Sequence, residues 1–232
     1  MRMKMEAVCL VLAILCISFP VTASASNKNR VSVITEGYVK AVEGRQLIPG
    51  ISDNGARHMA GTVALVEGDG VVIVTDPGMV ANRKMITDGL KKNGVTPEEV
   101  THVFISHHHP DHTVNIALFP NAELIDFWGI YQGDFWQDHP DEYEIAPGIK
   151  VFQTPGHTKE DASLVVETDK GTIVLTHLWW TQDKTPDKDP IAWDQKILEE
   201  QRRKIDKIAD WIIPGHGKRF SNRHDDGIPI TK

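Results

Sequence analysis

Cysteine is nearly missing from this chain of 232 residues: there are two, Cys9 and Cys16, both in an apolar stretch near the start. Beyond them no thiol remains, which excludes a disulfide framework, thiolate metal ligation and a cysteine nucleophile from the rest of the protein. A membrane-length apolar run is lacking as well. Ala7 to Phe19 covers thirteen residues, roughly 20 Å as a helix against a hydrocarbon core of ~30 Å, and no later segment is more apolar. Positive charge is in deficit, with 25 Lys and Arg against 32 Asp and Glu for a net charge of −7. Such a balance counts against nucleic acid and anionic membrane as partners. There is no internal repeat and no long low-complexity linker.

What stands at the N-terminus is ordered like a secretory signal peptide: Arg2 and Lys4, then the short apolar run, then Ala23-Ser24-Ala25 as a small-x-small cleavage pattern. The expectation is therefore a signal over residues 1–25 and a catalytic domain over 26–232, secreted or periplasmic, with no membrane association after cleavage. Losing Arg2, Lys4 and Glu6 leaves 23 basic and 31 acidic residues, a net −8, in 207 residues, enough for one domain with a sizeable core.

Apolar patterning predicts strands and helices in alternation. Val31 to Val42 reads as a strand or hairpin. "GTVALVE" and "VVIVTD" are apolar runs divided by Gly68-Asp69-Gly70, a hairpin turn. Val80 to Asn93 reads as a helix stopped by Gly94. Thr101 to Ser106 is a buried strand, and Thr113 to Leu118 starts a helix ended by Pro120. Four further strands are predicted at Ala122–Asp126, Ile149–Thr154, Ala162–Thr168 and Gly171–Thr176, followed by an amphipathic helix over Asp194–Asp210, a final strand at Trp211–Ile213 and a loose tail after Phe220. Two sheets with outer helices satisfy this order.

The buried strand "THVFIS" runs straight into "HHHPDHT", where four of the chain's eleven histidines lie within six residues. In an extended segment residues i and i+2 point the same way, so His107 and His109 can reach one ion while His108 points away. Asp111 and His112 lie one turn further on, placed to reach a second ion. Two more histidines repeat the context: His157 in "TPGHT" after "IKVFQ", and His216 in "IPGHG" after "WII". In each, Pro-Gly makes a tight turn at a strand end and presents the next side chain there. Imidazole and carboxylate donors suit zinc, and two ions about 3.5–4 Å apart can share one bridging nucleophile.

These motifs, in this order from "VVIVTDPG" through H-x-H-x-D-H, "TPGHT" and "IPGHG", resemble the metallo-β-lactamase superfamily across the chain beyond the leader. The layout of "FPNAELI", "PGIKVFQTPGHT" and "ADWIIPGHGKRF" is similar to the small single-domain group of metallo-β-lactamase domain-containing protein 1. The resemblance implies an α/β fold, an αββα four-layer sandwich with its metals at one edge between the sheets. It assigns His107, His109 and His157 to a first metal and Asp111, His112 and His216 to a second, with Asp76 orienting a ligand histidine. One position departs: where many members carry a bridging carboxylate, this chain has His177 in "IVLTHLWW". A neutral imidazole cannot bridge two cations, so His177 is expected to bind one metal terminally, with Asp111, His112 and His216, or to hydrogen-bond the nucleophile. The alternative is a ring turned away toward Trp179 or Trp180.

The chemistry expected is hydrolysis by metal-activated water, its pKa lowered to about 7, at an ester, lactone, thioester or amide of a small molecule. Asp111 holds or accepts the nucleophile's proton. Two zinc ions are the expected cofactors, with iron or manganese as alternatives. The competing readings are a class B3-like β-lactamase and an iron-bound redox or metal-binding member of the fold. Phe127, Trp128, Tyr131, Phe135, Trp136, Trp179, Trp180 and Trp193 are candidates for an apolar substrate wall. His58, His102, His139 and His224 read as surface or loop residues.

Overall fold

The computed structural model describes residues 29–222 apart from 49 and 182–187. Strand β1 (Arg30–Thr35) is followed by two small antiparallel ribbons, β2 (Tyr38–Ala41) with β5 (Arg57–Ala60) and, within that connection, β3 (Gln46–Ile48) with β4 (Ile51–Ser52). The stretch Val31–Val42 is thus shared between two sheets. The expected hairpin is present as β6 (Val63–Gly68) and β7 (Val71–Thr75), and its turn places Gly70 at a φ of 74°, a conformation that favours glycine. Helix α1 (Lys84–Lys92), β8 (His102–Phe104), the single turn α2 (Pro110–Thr113), β9 (Glu123–Ile125), β10 (Gly129–Gln132) and β11 (Phe135–Asp138) complete the first half. The second half is β12 (Tyr143–Ala146), β13 (Ile149–Gln153), β14 (Ala162–Thr168), β15 (Gly171–Thr176), α3 (Gln195–Asp206), β16 (Trp211–Pro214) and β17 (Phe220–Ser221).

The strands form a seven-stranded sheet, β1-β6-β7-β8-β9-β10-β11, and a six-stranded sheet, β12-β13-β14-β15-β16-β17. Period-two alternation sorts their side chains into layers. Ala64, Val66, Ile73, Ile149, Val151, Leu164 and Leu175 meet between the sheets. Their neighbours Val63, Leu65 and Val74 face outward onto Ile86 and Leu90 of α1. On the far side Val165, Val174 and Ile212 face Leu198 and Ile205 of α3. The result is the expected αββα sandwich, and it explains why the strands read as continuous apolar runs: both faces are covered.

Three predicted boundaries move. α1 starts at Lys84, four residues after Val80, because the Asn82 side chain accepts a hydrogen bond from the Lys84 N–H (2.9 Å) and holds the approach in a turn. The helix expected from Thr113 is instead the turn α2, which Pro110 initiates with its preset φ, followed by a 3₁₀ turn at Ile116–Leu118. α3 begins where the Asp194 carboxylate accepts from the N–H groups of Lys196 and Ile197 (2.9 and 3.0 Å), and it ends at Asp206, short of Asp210. The segment expected as a signal, His224 and the tail beyond Asn222 lie outside the described residues. Among the described residues no helix is long and apolar enough to cross a membrane.

Topology fixes the site. β7 and β8 run parallel, so residues 76 and 105–112 leave the first sheet at one edge. β13 and β15 are both antiparallel to β14, and β16 is parallel to β15, so the segments carrying His157, His177 and His216 leave the second sheet at one edge too.

Candidate metal centre

All seven donor residues singled out in the sequence converge between these two edges, and all but the half-buried His109 are buried. His107 Nε2 lies 2.9 Å from His109 Nδ1, and His157 Nε2 lies 3.4 Å from the same atom. His107 and His109 therefore point the same way, as i and i+2 in an extended segment do, and bring Nε2 of one ring and Nδ1 of the other to one point. In the second cluster Asp111 Oδ2 is 3.1 Å from His112 Nε2 and 3.4 Å from His216 Nε2. His177 joins the two clusters: its Nε2 is 3.1 Å from His216 Nε2, and it groups with His107 and His112 with ligand atoms within 4.8 Å of one another. The ring is turned inward, not away.

Outer groups hold these rings. His157 Nδ1 faces Asp189 Oδ2 at 3.1 Å, and the same oxygen accepts from the Trp180 indole N–H at 3.0 Å. His216 Nδ1 donates to the Ala60 carbonyl at 2.8 Å, which leaves Nε2 as the lone-pair nitrogen. Asp76 places one carboxylate oxygen 3.1 Å from His112 Nδ1 and accepts the Ser106 N–H (2.7 Å) on the other, so it ties the histidine loop to the end of β7. Asp76 does so at a φ of 45°, a conformation uncommon for a residue with a Cβ.

Electrostatics prepare the cluster for cations. Burial, reinforced by neighbouring imidazoles, holds His107 and His177 well below the ordinary histidine range and brings His216 down to about 4. These rings are neutral at pH 7, the form that ligates metal. His112 goes the other way: burial opposes its charge, but Asp76 and Asp111 outweigh burial and raise its pKa. The position between those carboxylates thus favours positive charge. Several buried atoms also lack protein partners. Asp111 Oδ1 and His177 Nδ1 have no hydrogen bond, and both His112 nitrogens sit near carboxylate oxygens without a well-aligned one. Buried polar atoms are ordinarily satisfied, so orphans concentrated here fit a site completed by metal ions. Six imidazoles and one carboxylate form a donor set suited to zinc.

The profile of the Metallo-beta-lactamase superfamily matches residues 57–178. The chain belongs to this superfamily. Metallo-beta-lactamase domain-containing protein 1 of Xenopus laevis is 33% identical over 82% of this chain and 80% of that protein. The Homo sapiens protein of the same name is 32% identical over 69% of this chain and 63% of its own length, so the match spans less than two thirds of it. The N-acyl homoserine lactonase of Bacillus cereus is 27% identical over 57% of this chain and 60% of that one. Among solved structures, the B. thuringiensis AiiA mutant with N-decanoyl-L-homoserine bound at its active site shares the fold, with a TM-score of 0.60 at 19% identity over 83% of this chain and 94% of that one.

As a metallo-β-lactamase superfamily member the chain holds residues that its motifs did not disclose. Asp189 lies in "DKDPIA" with no histidine beside it; its only sequence signal is an aspartate before proline in an otherwise charged loop. Asp126 is another. It is buried and accepts from His108 Nε2 (2.9 Å), the Tyr131 hydroxyl (2.9 Å) and the N–H groups of Trp128 and Gly129. His108 thus points away from the cluster, as strand alternation predicts, but it is anchored rather than free. His139 is buried and not a surface residue, with its ring nitrogens 2.8 and 2.7 Å from the carbonyls of Pro140 and Asp126.

A cleft of about 450 Å³ opens onto the donors. Val39, Ile51, Met59, Met79, Trp180 and Ile191 line it, together with Arg57. Of the aromatics expected to form its wall, only Trp180 does so. Tyr131, Phe135 and Trp136 belong instead to the β10–β11 hairpin at the sheet edge and Trp128 immediately precedes it; Trp128, Phe135 and Trp136 are exposed.

Proposed function

We propose that this chain is a di-zinc hydrolase that cleaves an ester or lactone bond of a small molecule, with thioesters and amides as related substrates. The observation that carries the reading is the convergence of seven donors, six of them buried and His109 half-buried, at the base of an apolar cleft. In this reading His107, His109 and His157 would hold one ion and Asp111, His112 and His216 the other, with His177 adding a terminal nitrogen to the second set or a hydrogen bond to the nucleophile. Ions held there supply Lewis acidity toward the scissile carbonyl and make water acidic enough to react at neutral pH. The remaining work belongs to the chain's own residues. Asp111, kept ionised by His112 and His216 against the cost of burial, is an acceptor for the nucleophile's proton through its unpartnered Oδ1. Asp189 and Ala60 fix the ring orientations of His157 and His216. The apolar walls bind the acyl part and exclude water. The lactonase names among the relatives support an ester or lactone over a β-lactam. Export follows from the leader, with Ser26 as the mature N-terminus, checked by intact mass of the exported chain.

The test is a panel of nitrocefin, an N-acyl homoserine lactone, a thioester and a phosphodiester with the zinc-loaded protein. The lactone is expected to turn over. His109→Ala is expected to lower the rate more than about a hundredfold, since it opens the first triad, and His108→Ala by far less. Turnover of nitrocefin alone establishes the class B3-like reading. Activity toward none, in a protein that purifies with iron, favours the iron-bound redox or metal-binding reading.

A further inference from the structure

Strand β5 runs from the rim of the cleft to the metal centre. At its inner end the Ala60 carbonyl holds His216, and the Gly61 N–H donates to the Asp111 carbonyl at 3.1 Å. At its outer end stands Arg57. Residues 57 and 59 point to one face by strand alternation, and both line the cleft, opposite Val39 and Ala41 in the β2–β5 register. Arg57 is the only lysine or arginine lining the cleft among the described residues. Among the described residues it makes no ion pair, and its one hydrogen bond is from Nη1 to the nearby Gly55 carbonyl at 2.9 Å. The rest of the wall between it and the donors is apolar, including Met79 and Ile191, which are exposed to solvent at 43% and 51%. An unpaired guanidinium at the end of an apolar trough, in a chain of net charge −7, selects a ligand of matching shape and charge.

We propose that Arg57 is a specificity residue for substrates carrying an anionic group at the far end of an apolar acyl chain. β5 sets the length. From Ala60 to Arg57 is three residues, ~10 Å of backbone at the rise of a strand, which sets the scale of the separation between anion and scissile carbonyl. A guanidinium receives a carboxylate through two parallel N–H donors, and the chain between lies along Met59, Val39 and Ile51. This names the substrate class of the hydrolase proposed above, and its kinetic arm rests on that reading.

The test uses the zinc-loaded full chain and 4-nitrophenyl hemi-esters of succinic, adipic, suberic and sebacic acids beside 4-nitrophenyl octanoate. In the wild type kcat/KM is expected to rise from succinic to suberic or sebacic. The suberic hemi-ester should exceed the octanoate by roughly fivefold, the scale of a solvent-exposed ion pair, and the advantage should shrink with added salt. Arg57→Met should abolish that ratio through KM, and Arg57→Lys should restore part of it. A suberic-to-octanoic ratio equal in wild type and Arg57→Met, or a series that falls from succinic onward, overturns the proposal. Calorimetry of suberate and octanoate binding decides without turnover: suberate should bind more tightly than octanoate to the wild type and not to Arg57→Met. If no ester is cleaved the hydrolase reading fails, and calorimetry alone then decides on Arg57, with equal affinity of the wild type for the two acids as the overturning result.

Discussion

Gly61 allows a sharp test of how the second triad is built. A Cβ at this position would stand 2.7 Å from the Asp111 carbonyl oxygen and 3.0 Å from His112 Nδ1, where ordinary contact begins at 3.4 Å. Gly61→Ala therefore asks the Asp111 backbone to withdraw by about 0.7 Å and the His112 ring by about 0.4 Å, the differences between those distances. Metal–ligand distances tolerate about 0.2 Å. The backbone has little room to yield, because the Asp111 carbonyl is held by the N–H groups of Gly61 (3.1 Å) and Met79 (3.2 Å). The expected result is loss of at least about tenfold in affinity for the second zinc, with the first site little changed. Overpacking should add roughly 1–3 kcal/mol of destabilisation, a fall in Tm of a few to about ten degrees for a chain of this size. Gly94→Ala is the control. It has nothing within 4 Å of its Cβ and a φ of 76°, so it should cost about 1–2 kcal/mol through backbone strain alone and keep both metals. Zinc content after dialysis and thermal unfolding of each variant give the answer. A Gly61→Ala protein that retains two zinc ions at wild-type affinity refutes the argument that this glycine exists to let the ligand loop approach.

Two further outcomes concern the rings. His177→Asp replaces a neutral nitrogen between the clusters with a carboxylate able to bridge, and metal titration should show the second ion bound more tightly; equal affinities in the two proteins place His177 outside the ligand set. Asp189→Asn removes the charge facing His157 Nδ1 and the Trp180 indole N–H, so first-site affinity should fall about 10–100-fold with a change in tryptophan emission, and an unchanged titration shows that Asp189 does not orient the ring.

The metal cluster was legible in the sequence because strand ends carry it. A buried strand has a fixed exit point, so a histidine one to four residues past "THVFIS", "IKVFQ" or "WII" has a predictable place. The hairpin at Gly68-Asp69-Gly70 was legible for a similar reason: both its strands are buried on two faces, and the turn chemistry is local. Asp189 and Asp126 were not legible, because a carboxylate that steadies a histidine through one hydrogen bond needs no particular spacing from it; 32 residues separate Asp189 from His157. The aromatic cluster misled for the opposite reason. Its residues are close in sequence, but alternation along β10 and β11 and the position of that hairpin at the sheet edge carry them away from the cleft.

The pairing of donors across the two sheets has a consequence for how the protein matures. Each triad takes ligands from both halves of the chain: His109 and His157 are 48 residues apart, and His216 follows Asp111 by about a hundred. The first site needs β13, which delivers His157, and the second is complete only when β16 has joined its sheet and delivered His216, so capture at the second site comes late in folding. Once captured, an ion closes long loops, and binding only the native state adds directly to its stability. In a chain with no cysteine after Cys16, the metal centre supplies long-range cross-links that no disulfide can. Scarcity of metal would then show first as shortened lifetime of the protein against proteases, before any loss of chemistry is noticed.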